Sequence, residues 1–468
     1  MKNSIVKTRF APSPTGSMHI GGARTALFNY LFAKYHGGQY LLRIEDTDKQ
    51  RSTTENSAQI ISSLSWLGIK HDCEIITQSH NIGRHQQIVA ELLASGHAYK
   101  CFLTQEQLAT IRLEKNFDKS LLQKWRNVND AEQPKNQDYS IRLKTPASGY
   151  TIINDMVQGE VKVNNAEIDD YVILRPDGSP TYMLSCVVDD HDMAITHVIR
   201  GDDHLNNAFR QQILFTALGW DTPQYAHIPL IHGTDGKKLS KRNNVVSLDE
   251  FKELGYLPEA INHYLATLGW YNEILEKDII NLENIVTVFD GSHLHKSAAK
   301  FDTNKLKDIN ASYIRKLNAN DVDDLIFSNL NKGLSEKALP LIASLQQRAK
   351  TLCDIVAQSN FIDGIELSEL SDETKARLDS CEQQYFDITS RWINQELLSS
   401  AKCDHGYLFS SFKDYCTKNN VKIGKVVLPL RVALTGNHNS ISVFEVIPAL
   451  GTTEVKHRWQ KLLEFMEY

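Results

Sequence analysis

The chain has 468 residues, 41% of them hydrophobic and 23% charged, and a formal net charge of −6. That length exceeds one hydrophobic core and predicts roughly three to five domains of ordinary soluble composition. No apolar run approaches the ~20 residues that cross a bilayer, and the start, Met1 to Lys7, lacks a signal-peptide core.

Ile5 to Phe10 reads as a strand, ended by the Pro12-Ser13-Pro14-Thr15-Gly16 cluster. Apolar positions then recur at helical spacing (Ala23, Ala26, Leu27, Tyr30, Leu31), predicting a helix from Gly21 to Tyr35 with Gly37-Gly38 as its stop. Gln39 to Ile44 is the next strand and Thr53 to Leu67 the next helix, a strand–helix alternation typical of a parallel, Rossmann-like unit. From about 80 to 185 helices give way to short strands such as Tyr171–Leu174, followed by a Pro176-Asp177-Gly178 turn, which we read as an insertion. His197–Arg200 resumes a buried strand, and Ala208 to Leu218 a helix stopped by Gly219. Ser247-Leu248-Asp249-Glu250 is a capping box with Gly255 as its stop, and Pro258 opens a helix ending at Gly269. Beyond Tyr313 the pattern is helical, and Ile342, Leu345, Ala349, Leu352 and Val356 are expected to form one apolar stripe.

Seven cysteines, at 73, 101, 186, 353, 381, 403 and 416, are scattered and free of Cys-x-x-Cys spacing, which predicts a reducing cytoplasm and no disulfide framework. The acidic balance leaves a polyanionic partner open, because local basic patches bind one on an acidic protein.

Two separated segments carry the chemistry. His19-Ile20-Gly21-Gly22 sits at a helix start, where backbone N–H groups attract anions and glycines let phosphates approach. Lys237-Lys238-Leu239-Ser240-Lys241-Arg242 concentrates four cations in six residues just after Gly233 and Gly236, suited to a loop that closes over a triphosphate and stabilises departing pyrophosphate. Taken singly, the first is equally a capped turn and the second a solvated charge run. The first is neither a dinucleotide fingerprint nor a Walker loop. Glu45, Asp46 and Asp48 do not suit a glycosidase-like pair, since adjacent strand residues face opposite ways.

Together these segments resemble the two signatures of class I aminoacyl-tRNA synthetases. The run Arg9-Phe10-Ala11-Pro12-Ser13-Pro14-Thr15-Gly16, with Arg43-Ile44-Glu45-Asp46-Thr47-Asp48, Leu239-Ser240-Lys241-Arg242 and Pro429-Leu430-Arg431-Val432-Ala433-Leu434-Thr435-Gly436, is similar to bacterial glutamyl-tRNA synthetases along the whole chain. The resemblance implies an α/β Rossmann-like catalytic domain (1–80 and 186–245) with an α+β acceptor-binding insertion (81–185). A helical stem-contact domain (246–320) and an all-helical anticodon-binding domain in two parts (321–468) would follow.

It implies ATP and Mg2+ as co-substrates, L-glutamate and tRNA as partners, no membrane, and a cytoplasmic monomer. ATP would meet His19, Gly21, Gly22, Asp203, Lys238, Leu239, Ser240 and Lys241, with His19, Lys238 and Lys241 catalytic. Glutamate would meet Arg9, Ala11, Ser13, Glu45, Tyr182 and Arg200: cations and hydroxyls for its carboxylates, Glu45 for its ammonium. Arg348 is the candidate for anticodon discrimination. Many relatives hold zinc in the insertion through paired cysteines. Here Cys101 keeps the first position, but Leu103 and Trp125 stand at or near the others, so no zinc is expected. Charging of glutamate tRNA, glutamine tRNA or both stays open, with a non-catalytic tRNA-binding paralogue as the remote alternative.

Overall fold

The structure is a computed structural model that describes residues 5–48, 51–113, 121, 123–233, 236, 247–398 and 404–468. It divides into two units, residues 1–250 with 258–303, and residues 251–257 with 304–468.

In the first unit β1 (Lys7–Phe10), β2 (Gln39–Ile44) and β3 (Ile76–Thr77) form a parallel sheet, with Arg9 opposite Leu41. Strands β1 and β2 are buried on both faces, as parallel strands covered on both sides are, although Thr8, Arg9 and Arg43 among their buried side chains are polar. Helix α1 (Ile20–Tyr35) connects β1 to β2 and buries Ala23, Ala26, Leu27, Phe28 and Leu31 completely. Helix α2 (Thr54–Trp66) follows β2, capped by Thr53, whose hydroxyl accepts from Asn56 N–H at 3.1 Å. Each element lies within a residue or two of its expected bounds.

After helix α3 (Ile82–Ala94) the topology turns antiparallel. Strands β4 (Ala98–Cys101), β5 (Ser140–Leu143) and β8 (Val172–Leu174) make one sheet, and β6 (Tyr150–Asp155) with β7 (Gly159–Asn164) makes a hairpin. Strand β6 alternates, with Thr151, Ile153 and Asp155 inward and Tyr150 and Ile152 outward. The chain returns through helix α4 (Tyr182–Asp192), β9 (His197–Gly201), helix α5 (Leu205–Leu218) and β10 (Gln224–Ile228). Strands β9 and β10 run parallel, and Thr196 N–H donates to Lys7 O at 3.0 Å, placing the returning chain beside β1. Helix α5 begins three residues earlier than expected and ends at Gly219, whose φ of 67° is the left-handed stop a glycine accepts without strain. One core gathers Ile88, Leu92, Ile141, Ile173, Leu184, Val198 and Leu214 from these layers.

All regular elements among the described residues of the second unit from 304 to 465 are helices. The expected single stripe over 342–356 is corrected here. The chain forms two helices, Ile342–Gln346 and Leu352–Ser359, and Ile355 rather than Val356 is fully buried. A reciprocal capping box explains the break: Thr351 caps Asp354 N–H while the Asp354 carboxylate accepts from Thr351 N–H at 3.0 Å. Helix Ile423–Thr435 carries the Pro429–Thr435 run and stops at Gly436. Buried Arg458 donates to the carbonyls of Phe361 (2.6 Å), Leu434 (2.9 Å) and Ile362 (3.1 Å), satisfying backbone acceptors that helix ends would otherwise leave orphaned.

Candidate active site

A cleft of about 780 Å³ opens at the carboxyl ends of β1, β2 and β9, the end of an open α/β sheet where ligands sit. Of the expected site residues, Arg9, Ala11, Ser13, His19, Gly21, Gly22, Glu45, Tyr182, Arg200 and Asp203 all line it. Lys238, Leu239, Ser240 and Lys241 lie outside the described residues.

The α1 end is built by His19. Its Nδ1 accepts from Gly22 N–H at 3.1 Å, so the neutral ring carries its proton on Nε2. The glycine next to it has a steric reason: a Cβ on Gly21 would stand 3.2 Å from the His19 ring. Both readings of this histidine therefore meet, since a capping imidazole also presents an N–H donor beside a helix N-terminus.

Arg9 and Glu45 belong to a buried ion cluster that spacing alone does not disclose. Arg9 Nε and Nη2 straddle the Asp190 carboxylate at 3.1 and 3.3 Å. Arg43 bridges the two acids, with Nη1 to Asp190 at 2.6 Å and Nη2 to Glu45 at 2.9 Å. Burial by itself would raise the Asp190 carboxyl, but Arg43 and Arg9 outweigh it and hold the group down at about 2. Glu45 goes the other way: burial pushes it up and Arg43 offsets this only in part. Cys186, one turn before Asp190, has its thiol pushed up to about 12, first by burial and then by the acids. Asp46 points elsewhere, accepting from Ser79 N–H at 2.8 Å and Ser79 Oγ at 2.6 Å, in keeping with opposite faces for neighbouring residues.

Across the cleft Arg200 is held on three sides. Its Nη1 donates to Tyr182 OH at 3.3 Å, its Nη2 to His204 O at 3.3 Å, and its Nε to His227 Nε2 at 3.0 Å. Asp203 lies in the turn Asp202–His204, folded so that a Cβ on Gly201 would meet its Oδ1 at 2.6 Å. His204 is lowered by burial and then by Arg200, which keeps its ring neutral beside the arginine. Buried Arg24 of α1 also reaches the cleft and donates to Leu268 O at 3.0 Å and to Pro229 O.

Sequence reasoning missed Asp190, Arg43 as a bridge, Asp155 and His227. Asp189-Asp190, set eight residues after Tyr182 on one apolar helix, was the available signal, because buried acids on a helix need cations.

The insertion's Cys101 is buried, and next to it Phe102 and Trp125 pack edge to face at 5.0 Å. One thiolate among aromatic rings does not supply a tetrahedral zinc set, and no group of three or more His, Cys, Asp or Glu suited to a metal occurs among the described residues. His97 is exposed and bonded to Ser95 Oγ at 3.0 Å. In the second unit, Arg348 lines a cleft of about 510 Å³ with Gln358, Asn437 and Asn439 and donates to Ser440 O at 2.6 Å.

Residues 5–308 match the family model described as tRNA synthetases class I (E and Q), catalytic domain, and residues 293–463 match an anticodon binding domain. A Zymomonas mobilis protein named glutamate–tRNA ligase 2 is 44% identical over 97% of this chain and 95% of its own length. An Acidiphilium cryptum protein named glutamate–tRNA ligase 1 is 42% identical over 97% and 98%. Among solved structures, a glutamate tRNA ligase from Elizabethkingia meningosepticum in complex with its amino acid superposes with a TM-score of 0.87 at 30% identity, covering 98% of this chain and 99% of that one.

Proposed function

The chain belongs to the class I tRNA synthetases of the glutamate type, and on that footing we propose that it ligates L-glutamate to the 3′ end of tRNA through a glutamyl-adenylate. The observation that carries the reading is one cleft holding a helix N-terminus for phosphates beside two arginines, two hydroxyls and a carboxylate matched to glutamate.

Arg9, with Ser13 and Tyr182, would receive the side-chain carboxylate, and Arg200 would supply a second cation. Glu45 would take the ammonium, with Ala11 completing the wall. ATP would enter with Mg2+ over Gly21 and Gly22, its triphosphate met by His19 and its ribose or adenine by Asp203. The glutamate α-carboxylate attacks the α-phosphate, expelling pyrophosphate. Lys238 and Lys241, in the Lys238-Leu239-Ser240-Lys241 run, stabilise the charge that develops there. The 2′-hydroxyl of the terminal tRNA adenosine then takes the glutamyl group and releases AMP. Catalysis is by positioning and electrostatics, with no covalent enzyme intermediate.

We assign the 81–185 insertion to the acceptor end of tRNA, 246–320 to its stem and 321–468 to the anticodon, with Arg348 the discriminating residue. The protein acts as a cytoplasmic monomer without zinc, testable by light scattering and by elemental analysis of the purified protein. Charging of purified glutamate and glutamine tRNAs with labelled glutamate, with and without ATP, tests the function. ATP-dependent charging of either supports it and tells which tRNA is used. Failure with both, where a control enzyme works, refutes it.

A further inference from the structure

Arginine has donors only, so whatever faces Arg200 Nε must accept. The group there is His227 Nε2, at 3.0 Å, and the imidazole is fully buried. Its Nε2 is therefore unprotonated and its proton sits on Nδ1. That nitrogen lies 2.6 Å from Asp155 Oδ2, a carboxylate able to take the proton's hydrogen bond. Asp155 closes strand β6 of the insertion hairpin and is itself anchored. Its Oδ1 accepts from the backbone N–H of Val157 (2.9 Å), Gln158 (2.8 Å) and His227 (3.1 Å). The hairpin is tied to the same strand by Met156 N–H to Tyr225 O at 2.8 Å and Gln158 Nε2 to His227 O at 2.9 Å. A rigid turn in the insertion thus dictates a tautomer at β10, and the tautomer dictates the plane of a guanidinium in the cleft.

We propose that His227 is a positioning residue for substrate glutamate, held by Asp155 as the Nδ1–H tautomer so that Arg200 presents its terminal nitrogens to the cleft. The proposal rests on the reading of that cleft as a glutamate site. It also makes glutamate binding acid-sensitive. The groups facing the imidazole are Asp155 from β6, Arg200 from β9, Asp202 and His204 from the turn after it and Tyr225 from β10, its ring stacked 5.6 Å away. Burial lowers His227 below its ordinary value, the bond to Asp155 opposes this, and Arg200 lowers it again. Because His227 is held below its ordinary value, it protonates only at a pH beneath the usual imidazole range, and there the new N–H donor would oppose the Arg200 Nε–H and turn the guanidinium away.

Three variants separate this from a packing role, assayed as full-length protein by tRNA charging against glutamate and ATP. His227→Gln keeps an acceptor near Nε2, whereas His227→Asn satisfies Asp155 and abandons Arg200. Asp155→Asn turns its amide toward Nδ1, because Oδ1 is committed to three backbone donors, and so forces the Nε2–H tautomer. His227→Asn and Asp155→Asn are expected to raise KM for glutamate about ten- to a hundredfold, the equivalent of a lost hydrogen bond to a charged group. KM for ATP should stay within about twofold of wild type, and His227→Gln should recover most of the loss. Wild-type KM for glutamate should climb as the pH falls beneath the usual imidazole range, and that of His227→Gln should climb less, any remainder falling to His204, with thermal unfolding followed at each pH. An unchanged glutamate KM in His227→Asn, or equal impairment of the Gln and Asn variants, overturns the proposal. If His227→Asn does not fold, the contrast of His227→Gln with Asp155→Asn decides alone. Absence of charging by the wild type would instead sink the function reading itself.

Discussion

Asp190→Asn isolates charge from shape at the centre of the site. The carboxylate accepts from Arg9 at 3.1 and 3.3 Å and from Arg43 at 2.6 Å, with all three side chains buried. Asparagine preserves the volume but faces two guanidiniums with an amide N–H₂ and no charge. Removing one partner from such a buried pair costs about 3–5 kcal/mol. Titration gives a similar figure. A carboxyl held at about 2 against an unfolded value of ~3.9 corresponds to about 3 kcal/mol. The sign follows from the depressed value: the stabilisation is complete above pH ~4 and is lost as pH falls toward ~2, because there the unfolded chain binds the proton first. At neutral pH the variant should unfold on the order of 5–10 °C below wild type, and the gap should narrow in acid. Arg9 loses the anchor that fixes its plane, so KM for glutamate in tRNA charging should rise about tenfold, equivalent to ~1.4 kcal/mol. A Tm within about 2 °C of wild type together with an unchanged glutamate KM would refute the account of the cluster.

Lys241→Ala should cut glutamyl-adenylate formation at least a hundredfold, in line with losing a transition-state cation. Normal ATP–pyrophosphate exchange in the presence of tRNA would remove this residue from the mechanism. Arg348→Ala should raise KM for tRNA, or change the ratio of glutamate to glutamine tRNA charged, with KM for glutamate untouched. An identical tRNA profile would discard it as a discriminator. Thr351→Ala should destabilise the second unit by about 1 kcal/mol through loss of the capping box, read by denaturant unfolding, and should leave charging kinetics unaltered.

What could be read from the residues follows the range of the forces involved. Strand β1, helix α1 and strand β2 declare themselves locally, through apolar periodicity and the stops at Pro12–Gly16 and Gly37-Gly38, and their bounds lie within a residue or two of expectation. The stripe over 342–356 misled because an apolar spacing of three and four continues across a turn as easily as along a helix. Thr351 and Asp354, a capping box in plain sight, were the better guide. The cleft residues could be named because their types match a substrate's charges. Their partners could not: Arg9 meets Asp190 across 181 positions and His227 meets Asp155 across 72, and no local pattern encodes such pairings. Arg9, expected to wait for substrate, turns out to be held by an acid of the protein itself, and Arg200 by a tyrosine, a histidine and a backbone carbonyl.

That separation has a temporal side. Arg9 and Arg43 leave the ribosome long before Asp190 exists, and at about 5–20 residues per second the intervening chain takes roughly 10–40 s to make. During that interval β1, α1 and β2 can associate locally, and Arg43 has Glu45 as a partner, but Arg9 lacks Asp190 and must stay hydrated. The amino-terminal segment is thus barred from settling into a closed core ahead of α4. The ion cluster acts as a latch on the order of assembly, admitting the first strands to a dry interior only once the far half of the sheet has been synthesised.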